Sequence, residues 1–146
     1  MGNRRKAREY ALQMLYQTEL NPAHTRLGYE SLTDEEPLED DAIKFSMLLV
    51  EGTLKKQEEI DQIIKRVVKN WDMNRLSAID RNIIRMGAFE MFFLSVFSER
   101  EAAIPNAVTI NEAVEIAKKF STPDSGKFVN GVLDELRKEY LKQAKP

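Results

Sequence analysis

The chain has no cysteine, one histidine and only six glycines in its 146 residues. Without thiols it forms neither a disulfide nor a thiolate metal site, which fits a reducing compartment. His24 stands beside Pro22 in a polar stretch, and a lone loop imidazole lacks the partners that would tune it as a base or ligand. The scattered glycines build no phosphate-cradling loop, and no GxSxG elbow offers a nucleophile. Neighbouring carboxylates such as Asp40/Asp41 and Glu58/Glu59 point in different directions on a helix, so no acid–base pair is nominated. Long apolar runs are missing as well. The longest, near Met86 to Phe97, contains Glu90 and Ser95 and is too short to span a bilayer. Glu9, Gln13 and Gln17 interrupt what would otherwise be a secretory apolar segment. These absences predict a cytoplasmic protein that is not an enzyme and needs no metal or cofactor.

What is present is segregated charge. The formal net charge is only −2, yet Arg4, Arg5, Lys6 and Arg8 crowd the first eight residues. A basic end on a mildly acidic body fits contact with a polyanion, whereas the whole molecule generates no field strong enough to hold one. From Glu30 to Asp41 the chain carries seven carboxylates and no cation, most simply a solvated stretch.

Apolar spacing is helical nearly throughout. Ala7, Ala11, Met14, Leu15 and Thr18 mark one face of a first helix that Asn21-Pro22 ends. A second helix resumes after Pro37 with Ile43, Phe45, Leu48 and Leu49 as core candidates, either running through Gly52 or breaking there. A third carries Ile60, Ile63, Ile64, Val67 and Val68, with Trp71 at its close. Ser77 and Asp80 resemble a capping box, opening a stretch from Ile79 to Phe97 that is apolar on nearly all sides, the pattern of a central helix surrounded by others. After Ile104-Pro105-Asn106 a helix bears Val108, Ile110, Ala113, Val114 and Ala117. Thr122-Pro123 starts the last one, with Phe128, Val132, Leu133, Leu136 and Tyr140 in register. The fold class is therefore all-α, a packed helical bundle.

On a helical wheel Arg4 and Arg8 extend the line of Ala11 and Leu15, the direction of burial. Cations are not expected to pack there, so the first two turns are expected to project beyond the bundle or to order only on a partner. Leu12 and Tyr16 lie on another flank near Arg5, an apolar strip for a neighbouring helix or a protein partner. At the start of the last helix, free backbone N–H groups and Lys127 suit phosphate. Phe128 is either a stacking face for a base or, by its register with Val132, core.

Three segments resemble the NusB family of transcription antitermination factors. They are Arg4-Arg5-Lys6-Ala7-Arg8-Glu9 with Ala11 to Tyr16, then Leu76 with Asp80-Arg81 and Ile84-Arg85 ending near Phe89-Glu90, then Ile104-Pro105 with Ile110-Asn111-Glu112 and Asp124-Ser125 through Lys127-Phe128-Val129-Asn130-Gly131 to Asp134. The resemblance implies about seven helices in two small bundles, near 1–72 and 73–146. It implies a bacterial factor that binds single-stranded boxA RNA of ribosomal RNA leaders together with NusE, a ribosomal small-subunit protein, within the antitermination complex of RNA polymerase. By position it implies RNA contacts at Arg4, Arg5, Lys6, Arg8, Asp124, Lys127 and Phe128, and a NusE surface at Tyr16 and Asp80. Lys6 stands where an arginine is common, which keeps charge and loses the bidentate fork. Asn111 and Glu112 read first as helix capping and bundle packing. Two competing readings remain: the NusB-like domain of ribosomal RNA cytosine methyltransferases, for which no βαβ cofactor pattern is present, and a homodimer that hides its RNA surface.

Overall fold

The structure, a computed structural model, describes residues 2–20, 39–68, 77–98 and 104–144. Within them the chain forms seven α-helices and no strand: α1 (Gly2–Leu20), α2 (Asp40–Lys55), α3 (Gln57–Val67), α4 (Ala78–Phe92), α5 (Leu94–Phe97), α6 (Asn106–Phe120) and α7 (Pro123–Ala144). His24, the acidic stretch up to Leu38, Trp71, Leu76 and the expected bundle boundary at 72/73 lie outside the described residues.

Helix α4 is the hub, packing against all six other helices. Every residue from Asn82 to Glu90 is buried, as its all-round apolar sequence predicts. Ile83, Ile84, Met86 and Phe89 are essentially inaccessible, each stabilising the fold by about 1.5–3 kcal/mol relative to exposure. Its start follows the predicted cap: Ser77 Oγ accepts from Asp80 N–H at 3.1 Å, with Ser77 in extended backbone (φ −62°, ψ 148°). The helix stops earlier than its apolar run does. Phe93 turns to φ −125°, ψ −18°, and one further turn follows as α5.

Helix α2 continues through Gly52. A Cβ there would collide with the Phe89 ring, so the glycine serves a close approach rather than a break. Phe97 meets the same ring edge-on, its centroid 5.3 Å away. On α7 the core stripe is Val129, Val132, Leu133 and Leu136, while Phe128 and Tyr140 are 37% and 47% exposed. Val132, Leu133 and Leu136 follow the predicted stripe, whereas Phe128 and Tyr140 at its two ends do not, and Val129 points inward in place of Phe128. Val108 of α6 is likewise exposed, and Ile116 takes part in the core instead.

Candidate nucleic-acid interface

Helix α1 buries Ala7, Tyr10, Ala11, Leu12, Met14 and Leu15, so it is held along one side from its second turn onward. Arg8 falls on that side, and the structure corrects the expectation that it cannot be packed. Its side chain is 4% exposed and forks onto Glu90 of α4, with Nε–Oε2 at 2.9 Å and Nη2–Oε1 at 2.8 Å. The Thr109 hydroxyl of α6 donates to the same carboxylate at 3.3 Å. The Phe45 ring of α2 supplies a π face 5.3 Å from the Arg8 guanidinium carbon, while Arg4 stacks on that ring at 4.2 Å. Burial disfavours the charged form, but the hydrogen bonds and charge of Glu90 outweigh it, so the guanidinium is held above its ordinary pKa. A bidentate fork with a third donor on the same carboxylate is what lets such a pair be buried. The one sequence signal for it is Glu90 itself, a carboxylate inside a wholly buried helix that demands a cation.

Arg5 and Lys6 are exposed. Arg5 Nε donates to Glu112 Oε2 at 2.7 Å, and this hydrogen bond with the carboxylate's charge raises the Arg5 pKa. Glu112 and Asn111 sit in the second turn of α6, so neither caps the helix. Glu112 instead links α6 to the basic end of α1. One turn along α1, Glu9 accepts from Lys119 Nζ at 2.8 Å. The two helices are thus joined by long side chains above the buried Arg8–Glu90 fork.

The other predicted cluster lies where α6 hands over to α7. Thr122 Oγ1 caps α7 by accepting from Ser125 N–H at 3.1 Å, with Pro123 as first helical residue. Asp124, Lys127 and Phe128 all face outward from the first two turns. Beneath them Ser125 Oγ donates to Asp80 Oδ2 at 3.0 Å and lies 2.8 Å from Ser121 Oγ. Asp80 therefore ties the start of α4 to the turn that carries Lys127 and Phe128, and its Oδ1 has no partner among the described residues. Tyr16 is half-buried on α1. Near it in sequence, Glu19 pairs with Arg81 at 2.6 Å and Arg85 at 3.7 Å, and buried Arg85 forks onto Asp61 of α3 with both contacts at 2.9 Å.

These placements separate the predicted residues into groups. Arg4 and Arg8 share Phe45, with Arg8 locked inside. Arg5, Lys6, Asp124, Lys127 and Phe128 are solvent-facing. Among the described residues, no group of three or more His, Cys, Asp or Glu side chains could hold a metal, and no helix is long and apolar enough to cross a membrane.

Known proteins resemble this chain over almost its whole length. The sequence profile of the NusB family matches residues 5–138. The transcription antitermination protein NusB of Elusimicrobium minutum is 42% identical over 140 residues, covering 95% of this chain and 96% of its own. That of Myxococcus xanthus is 44% identical over 140 residues, covering 93% and 95%. A crystal structure of the antitermination factors NusB and NusE in complex with double-stranded RNA superposes with a TM-score of 0.81 at 29% identity, covering 96% of this chain and 99% of that one.

Proposed function

The chain belongs to the NusB family, and on that premise we propose that it is a transcription antitermination factor that binds boxA RNA of nascent ribosomal transcripts jointly with NusE. It acts in the cytoplasm as a binding adaptor rather than as an enzyme, and helps RNA polymerase resist termination. The observation that carries this reading is the pairing of exposed cations with an exposed aromatic: Arg5 and Lys6 on α1, and Lys127 beside Phe128 on α7. Cations supply sequence-independent attraction to phosphate, whereas an aromatic face stacks a base that single-stranded RNA leaves uncovered. Arg4 stacks on Phe45 at the edge of this surface, and Asp124 accepts from base edges or sugar hydroxyls. Arg8 acts through position: its fork to Glu90 fixes the helix that carries Arg5 and Lys6. Tyr16 forms the NusE surface, and Asp80, with one carboxylate oxygen buried and the other accepting from Ser125 Oγ, supports that surface by steadying the α6–α7 turn.

The test is an anisotropy titration of boxA RNA and a scrambled RNA, with and without NusE, at several salt concentrations. NusE should tighten boxA binding, the scrambled RNA should bind more weakly, and affinity should fall with salt. Tyr16→Ala should abolish the NusE enhancement and leave binding of RNA alone unchanged. Equal binding of both RNAs, or affinity indifferent to salt, refutes the reading.

A further inference from the structure

The two RNA-facing clusters of that reading are separated in sequence by more than one hundred residues, and the end of α6 lies between them in space. Lys119 reaches α1, its Nζ 2.8 Å from Glu9 Oε1. Lys118 reaches α7: a Cβ built on Gly126 would sit 3.1 Å from Lys118 Cγ and 3.5 Å from its Cε, so the lysine stem lies across the backbone next to Lys127. Both lysines occupy the last turn of α6, with side chains 53% and 60% exposed. Gly126 makes room for this arrangement, since any larger residue would push the Lys118 stem aside.

We propose that Lys118 and Lys119 are RNA-backbone contacts that join the arm of α1 to the start of α7 in one continuous phosphate track. The inference rests on the RNA-binding reading above and adds residues to its site. Lys119 now faces Glu9, whose side chain is 14% exposed, and Lys118 faces Glu115 at 3.5 Å. Each carboxylate occupies the place a phosphate oxygen would take. An ion pair whose lysine is this exposed is weak, so a phosphate, with its condensed counterions to release, displaces it. Glu9 then sets affinity against the polyanion: it orders Lys119 in the free protein and competes with RNA for it. Lys118, its stem lying against Gly126, needs only to leave Glu115 to place its charge between Lys119 and Lys127.

The experiment measures single-stranded RNA binding by anisotropy across salt concentrations for Lys118→Ala/Lys119→Ala, Glu9→Gln, Arg5→Ala/Lys6→Ala and the control Lys138→Ala, which removes a charge about three helical turns beyond Lys127. Thermal melts establish that each variant is folded. The double lysine variant should bind boxA and scrambled RNA about tenfold more weakly, with the slope of log affinity against log salt reduced by about 1.4, the share of two single-strand phosphates. Glu9→Gln should tighten binding by about threefold, since it frees Lys119. A purely structural role for the Glu9–Lys119 link predicts the opposite sign, so weaker binding by Glu9→Gln overturns the proposal. An unchanged slope in the double lysine variant overturns it too, provided the Arg5/Lys6 variant loses affinity. If the Arg5/Lys6 variant also binds normally, the RNA-binding reading itself fails.

Discussion

The buried fork between Arg8 and Glu90 offers a sharp test of what Arg8 is for. In Glu90→Gln the guanidinium stays in a site that leaves 4% of its side chain exposed, facing a neutral amide. At the roughly 4 Å between charge centres typical of such a fork, an effective dielectric of about 20 gives about 4 kcal/mol of attraction. Removing one member of a buried pair costs about 3–5 kcal/mol, because the other remains uncompensated. The single amide oxygen can still accept from Arg8 Nη2 and Thr109, but the NH2 then faces the Arg8 Nε donor, so a loss of at least about 3 kcal/mol is expected. In a chain of this size that lowers Tm by roughly 6–12 °C. Arg8→Met should cost as much, since it strands the carboxylate. The double variant Arg8→Met/Glu90→Leu replaces the pair with apolar volume and leaves only the Thr109 hydroxyl without its acceptor, so it should lie within about 2 kcal/mol of the parent. Urea denaturation followed by circular dichroism gives the four corners of the cycle. RNA titration of the double variant then separates scaffold from contact. If Arg8 only positions α1, stability and RNA affinity return together with an unchanged salt slope. A stable double variant with a slope reduced by about 0.7, one phosphate, would refute the positioning role. Single variants that melt like the parent would refute the energetics of the fork.

Two further outcomes follow from packing. Gly52→Ala should destabilise the protein by about 1–3 kcal/mol in chemical denaturation, even though alanine is favoured by about 1 kcal/mol in a helix, because the added Cβ collides with Phe89. A stabilised Gly52→Ala protein would mean that the Phe89 ring yields freely. Asp80→Ala removes the acceptor of Ser125 Oγ, and about 1 kcal/mol of stability with it. Faster amide exchange should appear at Ser125 and Gly126, and unaltered exchange there would show that the turn holds without α4.

The helical fold was legible because burial in a helix repeats every three to four residues, and the sequence keeps that period from Ala7 to Leu136. The Ser77 cap and the Thr122-Pro123 start were equally plain, since both depend on neighbours in sequence. The candidate site was legible only in part. Its exposed residues, Arg5, Lys6, Lys127 and Phe128, come from short local patterns and from the family resemblance. The partners that decide how these residues are held, Glu90, Thr109, Glu112 and Phe45, are distant in sequence, and a helical wheel gives a direction but not what waits there. Arg8 illustrates the difference. Its phase pointed inward, and sequence reasoning treated an inward arginine as unpackable because no counter-charge was in view.

The sequence by itself determined the helices, the charge segregation and the central place of α4, since these follow from periodicity, caps and composition along one stretch of chain. Only the tertiary structure decided which of the four opening cations remain outside. That choice depends on a carboxylate eighty-two residues away whose buried position turns the cost of desolvating Arg8 into a fork. It also depends on Glu112 and Lys119 meeting α1 side by side. Electrostatic partners act through space, and the fold alone brings them within reach.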